Sequence, residues 1–319
     1  MRSSANNMFD IVEGYRKRLS ILGRNKKIIV LSADVTKASG ADAFRGRFPE
    51  RFLNVGIAEQ NQMGIAAGLA ARGFIPIAHT FAVFATMRAC EQVRTTICYP
   101  NLNVKIIGAK GGLSDSHNGA THHGVEDLSI TRAFPNLVIM NPVDARQAGE
   151  AIAAAVRHRG PVYIRLNSVS LPQVSSGVFK IGRPEVMRKG SGPIVFIGTG
   201  DVVYQCLRAS DILQKGGIST SVVSVPTLSP IEKGPLIRVL KGARYAVTVE
   251  TNNINGGLGS CIAEIISENG LATRLIRKGI NNQYTQSGSY VDLLDKYGLS
   301  AERLVSVVLK LAGGFAPRT

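Results

Sequence analysis

The chain of 319 residues is long enough for two domains, each with a hydrophobic core of its own. Hydrophobic residues make up 45% of it and charged residues 19%, which is the composition of a soluble globular protein. The formal net charge of +16, taken alone, suggests a nucleic-acid partner. However, Lys and Arg are dispersed and do not alternate with aromatic residues as base stacking requires, so we expect no nucleic-acid function.

The sequence also lacks the signals of a membrane or secreted protein. No apolar run approaches the roughly 18 to 20 residues of a membrane-spanning helix, and the first residues lack the apolar core of a secretory signal. The four cysteines, Cys90, Cys98, Cys206 and Cys261, are scattered without the spacing of metal ligands. We expect a cytoplasmic protein with reduced thiols, no membrane contact and no metal site of its own.

In chain order, the first half alternates between helical and strand patterns. A helix over residues 8–22 comes first, and apolar segments of strand length follow, with helical patterns between most of them. The predicted strands are residues 28–32, 75–78, 104–108, 137–140 and 162–166.

The second half repeats this alternation after a segment rich in Ser, Pro, Gly and Lys, which predicts a linker containing one short strand. The predicted strands are residues 194–198, 220–225, 245–250 and 272–277, and the predicted helices are 202–215, 231–240 and 258–269. Such alternation indicates an α/β fold with mostly parallel sheets covered by helices. We expect one domain at residues 1–170, a linker at 171–192 and a second domain at 193–319.

One acidic residue, Glu59, opens a helical segment made almost wholly of small and apolar residues. Small residues let a helix pack closely against a neighbour, so we expect Glu59 to be buried with it. A buried carboxylate must be partnered or protonated, because an unpaired buried charge costs several kcal/mol. The segment alone leaves two interpretations open: an ion pair with a nearby arginine at the start of the helix, or a functional acid.

Several motifs occur around Glu59 in a characteristic order. Residues 57–73 follow the pattern I-x-E-x-x-x-x-G-x-A-x-G-x-A-x-x-G, a G-x-T-H sequence ends at His122, and R-x-x-P-N and P-x-D follow at 132–136 and 142–144. This order resembles the pyrimidine-binding domain of thiamine-diphosphate enzymes of the transketolase group. The likeness covers nearly all of the chain and implies a pyrimidine-binding domain followed by a transketolase C-terminal domain.

The resemblance covers only the second half of a full-length transketolase. The earlier domain, in which a G-D-G segment and a downstream Asn hold Mg²⁺ and the diphosphate of the coenzyme, has no counterpart here. The nearest string, residues 198–201, lies late in the chain, and we interpret its Asp201 as a helix cap. The resemblance therefore implies the carboxy-terminal subunit of a split transketolase, whose amino-terminal partner holds the Mg²⁺ and diphosphate, in an assembly of two copies of each chain.

By this resemblance, the chain contributes the pyrimidine side of a thiamine-diphosphate site. Glu59 is the catalytic acid that bonds to the aminopyrimidine ring and stabilises its imino tautomer, a task for a buried carboxyl group. Phe81 and Phe84 form the wall against which the pyrimidine stacks, although their spacing alone favours simple core packing. Met87 stands where many transketolases have a tyrosine and is the expected third wall residue.

The same resemblance implies a sugar-binding channel beside the coenzyme. His122 matches the histidine that contacts the donor ketose, and we expect catalytic and substrate contact from it. We also expect Lys110 and Arg165 to hold a substrate phosphate and Asn118 to contact the sugar. His79 lines the same pocket or is a hydrogen-bonded core histidine; the sequence leaves both open.

Three departures from the family restrict the substrate. Asn118 stands where sugar-phosphate transketolases carry Asp, Lys110 where they carry His, and Ser168 where they carry a phosphate-binding Arg. An acceptor other than the usual pentose phosphate is therefore a serious possibility.

The implied activity is transfer of a two-carbon ketol unit from a ketose to an aldehyde. Alternatives are the beta subunit of a 2-oxo acid dehydrogenase, a 1-deoxyxylulose-5-phosphate synthase-like enzyme, or a catalytically silent regulatory subunit. The glycine-rich turn after Glu250, at residues 256–260, is similar to the turn found in 2-oxo acid dehydrogenase beta subunits and in 1-deoxyxylulose-5-phosphate synthases. A turn of this kind can cradle phosphate, but we interpret its glycines mainly as turn geometry.

Overall fold

The computed structural model describes residues 7–312 and contains two large sheets, each flanked by helices. The strands are β1 (Phe9–Asp10), β2 (Ile28–Ser32), β3 (Phe52–Asn54), β4 (Ile75–Phe81), β5 (Lys105–Ala109), β6 (Val138–Met140), β7 (Val162–Leu166), β8 (Ser170–Leu171), β9 (Glu185–Arg188), β10 (Ile194–Gly198), β11 (Thr220–Ser224), β12 (Thr227–Ser229), β13 (Tyr245–Asn253) and β14 (Arg274–Ile280).

The α-helices are α1 (Ile11–Leu22), α2 (Asp42–Arg47), α3 (Glu59–Ala71), α4 (Asp127–Thr131), α5 (Ala145–Arg157), α6 (Val203–Lys215), α7 (Lys233–Lys241), α8 (Leu258–Glu268), α9 (Tyr290–Lys296) and α10 (Ala301–Ala312). Two π-helical segments, Phe84–Arg88 and Gln92–Cys98, follow β4. None of the helices in the described part of the chain is long and apolar enough to cross a membrane.

The first sheet has seven strands in the order β12-β6-β7-β5-β4-β2-β3. Six of them run parallel, and β12 pairs with β6 in the antiparallel direction. Because β12 comes from the second half of the chain, one strand of the carboxy-terminal half completes the amino-terminal sheet, which the sequence patterns do not predict. The carboxyl ends of β3, β4 and β5 lie at the same edge, and such edges are where parallel sheets bind ligands.

The second sheet has the order β14-β13-β10-β11-β9. Four of its strands are parallel, and the linker strand β9 pairs antiparallel with β11 at the edge. Its inner strands are continuous apolar runs such as Ile194–Gly198, buried on both faces by helices. The prediction of α/β domains with mostly parallel, helix-covered sheets is confirmed.

Two element boundaries differ from the predicted ones, and a hydrogen bond accompanies each difference. α1 begins at Ile11 rather than near Met8, because the Asp10 side chain accepts a hydrogen bond from the Val12 amide at 2.7 Å and caps the helix. β13 runs to Asn253, three residues beyond the predicted end, where Val125 of the first domain accepts a hydrogen bond from the Asn253 amide.

Candidate active site

Helix α3 places the Glu59 carboxylate at the edge of the first sheet. The helix packs against β4 through small and apolar side chains such as Met63 and Ala67, and Gln62 donates to the His79 carbonyl at 2.9 Å. Glu59 is the first helical residue and only 2% exposed. This close packing fixes the helix, and with it the position of the carboxylate.

Both oxygens of the Glu59 carboxylate have side-chain partners. Thr80, in β4, donates its hydroxyl to Oε1 at 3.1 Å, and Arg88 donates Nη1 to Oε2 at 2.8 Å. The Arg88 side chain is 44% exposed although the carboxylate is buried. The arginine therefore reaches the acid from the solvent side and can leave it without disturbing the core.

Aromatic rings form a wall beside this ion pair. Phe81 ends β4 and Phe84 begins the first π-helical segment, with ring centroids 6.1 Å apart and planes inclined by 28°. The His122 ring meets Phe84 edge-on at 5.4 Å and Phe81 at 6.4 Å. The Arg88 guanidinium lies 4.2 Å from the Phe84 ring centroid, close enough for a cation–π contact. The structure thus brings together the predicted Glu59, Phe81, Phe84 and His122.

Arg88 is a member of this group that the sequence motifs did not reveal. Met87, the expected third wall residue, is 45% exposed, and the neighbouring Arg88 takes the position against Phe84 and Glu59. A regular α-helical period would not place the Arg88 side chain against Phe84 and Glu59. The segment from Phe84 to Arg88 is π-helical, and such insertions re-aim side chains, frequently at functional sites.

The loop that carries His122 is held by the second domain. Gly112 has a φ of +58°, and a Cβ there would lie 2.4 Å from Thr251 Oγ1, so only glycine permits this approach. His123, which is 1% exposed, bonds through Nδ1 to Thr285 Oγ1 at 2.7 Å, and burial lowers its pKa. His122 itself stays half-buried and bonds through Nδ1 to Thr121 Oγ1 at 2.9 Å. The second domain therefore positions His122 indirectly.

Lys110 and Asn118 lie together at the start and middle of this loop. Asp115 links them, because its Oδ1 lies 3.2 Å from the Lys110 Nζ and its Oδ2 accepts from the Asn118 amide at 3.0 Å. Asn118 is exposed and Lys110 keeps 28% of its side chain exposed, so both remain accessible to a ligand. Their predicted substrate contact stays a prediction.

The substrate-contact interpretation of His79 does not fit the structure. Its side chain is fully buried, bonds through Nε2 to the Tyr15 hydroxyl at 2.7 Å, and lies against the Ile77 carbonyl through Nδ1. Burial lowers the pKa of His79 to about 4, so the ring is neutral. Of the two interpretations left open by the sequence, the hydrogen-bonded core histidine is the one that the geometry supports.

Arg165 does not lie where the resemblance placed it. It is fully buried where the domains meet and donates to the carbonyls of Gly124 at 2.6 Å and Thr251 at 2.9 Å. Its Nε lies 3.1 Å from Oδ2 of Asp127, which also accepts from Tyr163 at 2.7 Å. Because its guanidinium is bonded to these partners, Arg165 links the two domains and does not hold a substrate phosphate.

The glycine-rich turn of the second domain is filled by its own acid. Glu250 is fully buried and accepts from the amides of Leu258 and Gly259 at 2.7 and 2.8 Å, at the start of α8. A Cβ on Gly257 would lie 2.0 Å from Glu250 Oε2, so glycine is required there. The amides that could cradle a phosphate are thus occupied, and the interpretation as turn geometry is the one that the structure favours.

The residues present fit one half of a thiamine-diphosphate site. A buried carboxylate stands beside a stacked aromatic pair, which suits a flat heterocycle with ring nitrogens, and its outer oxygen is reached by the half-exposed side chain of Arg88. Within residues 7–312, no group of three or more His, Cys, Asp or Glu side chains is placed to hold a metal ion.

The fold and the arrangement of this site fit one part of a thiamine-diphosphate enzyme, and comparison with known proteins identifies the family. Residues 15–173 match the transketolase pyrimidine-binding domain, and residues 182–304 match the transketolase C-terminal domain. The chain therefore belongs to the transketolase family.

Relatives of similar length are named as a section or a subunit of a transketolase. A putative transketolase C-terminal section from Methanocaldococcus jannaschii is 37% identical over 93% of this chain and 95% of its own. One of the subunits of an apulose-4-phosphate transketolase from Actinobacillus succinogenes is 36% identical over 92% and 95%. A solved structure of a split gene transketolase, described as an inactive beta4 tetramer, superposes with a TM-score of 0.85 and 39% identity over 95% of this chain and 98% of its own. The resemblance to a carboxy-terminal subunit is confirmed.

Proposed function

We propose that this chain is the carboxy-terminal subunit of a transketolase that moves a two-carbon ketol unit from a ketose donor to an aldehyde acceptor. The observation that carries the proposal is the buried Glu59 beside the Phe81–Phe84 pair and His122, at the carboxyl edge of a parallel sheet. Thiamine diphosphate, when bound, supplies the carbon nucleophile for cleavage of a ketose next to its carbonyl group.

Each residue of this group has a separate task in the proposal. Glu59 presents Oε2, the oxygen that now meets Arg88, as the hydrogen-bonding atom for the aminopyrimidine, while Thr80 keeps Oε1 fixed. Phe81 and Phe84 orient the ring and exclude water from the acid. His122 stands at the outer side of the same wall, where its Nε2, which bonds to no other residue between 7 and 312, can bond to a sugar oxygen or move a proton there.

The proposal includes an amino-terminal partner subunit that holds the Mg²⁺ and the diphosphate end of the coenzyme. Its support is that two relatives covering nearly the whole chain are named as a C-terminal section and as one subunit of an enzyme. A further relative, structurally similar at 39% identity, is described as an inactive tetramer of beta chains. We propose activity only in the combined enzyme, with two copies of each chain, in the cytoplasm.

The substrates in this proposal are small sugars. Lys110 and Asn118, which share Asp115, form the polar end of the channel, and the positively charged Lys110 suits a phosphate or other anionic group. Arg165 and His79 are left out because both are buried and bonded elsewhere.

The test is a Glu59→Gln variant combined with the partner subunit. We expect two-carbon transfer to fall roughly 10²–10⁴-fold, the usual contribution of general acid–base catalysis, because the amide cannot exchange the proton. Assembly with the partner should be unchanged, as measured by light scattering. The matched control is Glu302→Gln, which alters an exposed glutamate paired with Arg208 in the second domain and should keep full activity.

Three results would contradict the proposal. Full turnover by the Glu59→Gln enzyme would remove the acid from the mechanism. Ketol transfer by this chain without its partner would contradict the two-chain requirement. Turnover of pyruvate with an electron acceptor, in place of ketol transfer, would assign the chain to the 2-oxo acid dehydrogenase group instead.

A further inference from the structure

A cavity of about 510 Å³ lies between the linker and both domains. Its wall includes Gln147 of α5 in the first domain, the linker residues Phe179, Lys180 and Arg183, and Arg238 of α7 in the second domain. We call this cavity the linker cleft. None of the residues placed at the candidate active site lines it.

The linker cleft carries three cations that the protein does not neutralise. Within residues 7–312, the side chains of Lys180, Arg183 and Arg238 make no hydrogen bond or ion pair, and all three residues are exposed. Neighbouring cations do have partners: Arg188 pairs with Asp211 at 2.5 Å and Lys233 with Glu268 at 2.6 Å. Unpaired cations that line one cavity concentrate positive potential in it and attract anions.

One carboxylate, Glu185, lines the same cavity. Its Oε1 accepts a hydrogen bond from the Ser176 amide at 2.7 Å, so this acid closes a turn of the linker. Three positive charges and one negative charge leave the cleft cationic.

Gln147 adds a hydrogen-bond donor at the wall of the cleft. It is only 3% exposed, and its Oε1 accepts from the Val143 amide at 2.8 Å. Its amide nitrogen, by contrast, donates to no residue in the described part of the chain, although the side chain lines the cleft. The nitrogen is open to the solvent of the cleft, so a ligand there can supply its acceptor.

The remaining wall is apolar and stiff. Phe179 and three prolines, Pro184, Pro226 and Pro235, face the cavity. Proline fixes its own backbone, so this wall does not have to be ordered when a ligand enters. A preformed apolar wall opposite a few polar groups is the usual form of a small-molecule site.

We propose that the linker cleft binds a small organic phosphate. The phosphate oxygens meet the guanidinium groups of Arg183 and Arg238, the Lys180 ammonium and the amide of Gln147, and the carbon part lies on the proline wall. Because the ligand touches the first domain, the linker and the second domain at once, its binding stabilises their mutual arrangement. The proposal does not depend on the function proposed above, since the two sites share no residue.

The experiment measures binding of ribose 5-phosphate and of inorganic phosphate to the purified full chain by calorimetry, with thermal unfolding as a second readout. We expect saturable binding of ribose 5-phosphate, a rise in melting temperature, and weaker binding of inorganic phosphate, which cannot use the apolar wall. In the double variant Arg183→Gln/Arg238→Gln, affinity should fall about tenfold or more, because two charge-assisted contacts are lost. Both substitutions are at exposed positions, so the variant folds.

Two controls test whether the phosphate binds in the cleft rather than elsewhere on this basic protein. Lys26→Gln/Lys215→Gln removes the same charge from exposed positions outside the cleft and should bind as the wild type does. Lys110→Gln, in the candidate sugar channel, should also keep this binding. Unchanged binding in the arginine double variant, an equal loss in the lysine double variant, or loss on Lys110→Gln would overturn the proposal. Equal affinity for the two probes would overturn the assignment to an organic phosphate.

Discussion

The carboxylates of two buried glutamates lie at the start of a helix, that of Glu59 as the first residue of α3 and that of Glu250 as a residue of β13 that reaches the first turn of α8, and they are satisfied in different ways. Glu250 accepts two backbone amides of its own turn and has no freedom to exchange them. Glu59 accepts a threonine hydroxyl and the guanidinium of a half-exposed arginine, both of which can rotate. The first arrangement fixes the backbone, and the second leaves a buried acid available to a ligand.

The difference extends to the surroundings. The second domain closes around Glu250, since a Cβ on Gly257 would touch its carboxylate and another on Gly279 would lie 3.2 Å from its Cγ. Glu59 instead adjoins aromatic rings that are only half-buried. A carboxylate at a helix N-terminus is therefore not informative by itself; these two acids differ in whether their partners are backbone amides or side chains.

The largest expected effect is on folding, from Glu250→Ala. The substitution leaves the amides of Leu258 and Gly259 buried without an acceptor and should destabilise the protein by roughly 4 kcal/mol, at about 1–3 kcal/mol per unsatisfied group. Chemical denaturation at pH 5 measures this. Glu59→Ala sharpens the comparison. Its loss of folding stability should stay below about 2 kcal/mol, because water can reach the Arg88 side chain once the carboxylate is gone. Equal losses in the two variants would remove the distinction.

The second effect concerns pH. Burial raises the pKa of Glu250 from 4.5 to about 7, against the smaller opposing effect of the two backbone amides. Between these values the folded protein keeps a proton that the unfolded chain has released, so stability falls as pH rises from about 4.5 to about 7. The fall attributable to this residue is roughly 3 kcal/mol, at 1.36 kcal/mol per pKa unit.

Glu250→Gln should remove that part of the pH dependence, because the amide does not titrate. Denaturation midpoints at pH 5 and pH 8 would then differ less in the variant than in the wild type. Asp201, whose pKa burial raises to about 6, should still contribute a slope of the same sign. An unchanged difference between the two pH values would show that Glu250 titrates normally.

Parts of the fold and site followed from local sequence, and parts could not. The helix start at Glu59 followed from the small and apolar residues after it, whereas the Phe81–Phe84 wall followed from the family resemblance, because the spacing of the two rings alone favours core packing. Arg165 was misassigned because its partners, Gly124 and Thr251, lie 41 and 86 residues away. His79 was ambiguous because Tyr15, 64 residues distant, decides its environment.

The strand β12 shows the same limit at the level of topology. Three residues, Thr227–Ser229, leave the second half of the chain to pair with β6 of the first sheet. A segment this short carries too little periodicity to reveal its partner. The predicted division into two domains therefore described the order of the elements but not how the two halves interlock.

The smallest expected effect comes from Arg88→Met, which tests whether the ion pair is exchangeable. Arg88 occupies the Glu59 oxygen that the coenzyme is proposed to use, so removing it frees that oxygen before binding. Because the arginine is half-exposed, solvent screens the pair and it contributes only about 1 kcal/mol. We expect the affinity of the combined enzyme for thiamine diphosphate to rise about fivefold, as measured by calorimetric titration.

The matched control for Arg88→Met is Arg94→Met, in the second π-helical segment, where the guanidinium bonds to the Thr95 hydroxyl at 3.4 Å and to no other side chain of residues 7–312. It loses the same charge without touching Glu59, so affinity for the coenzyme should not change. If both variants gain affinity equally, the gain reflects the net charge of the surface and not the ion pair. If Arg88→Met loses affinity instead, the arginine stays on the bound coenzyme, and Glu59 would then resemble Glu250 in keeping its partners throughout.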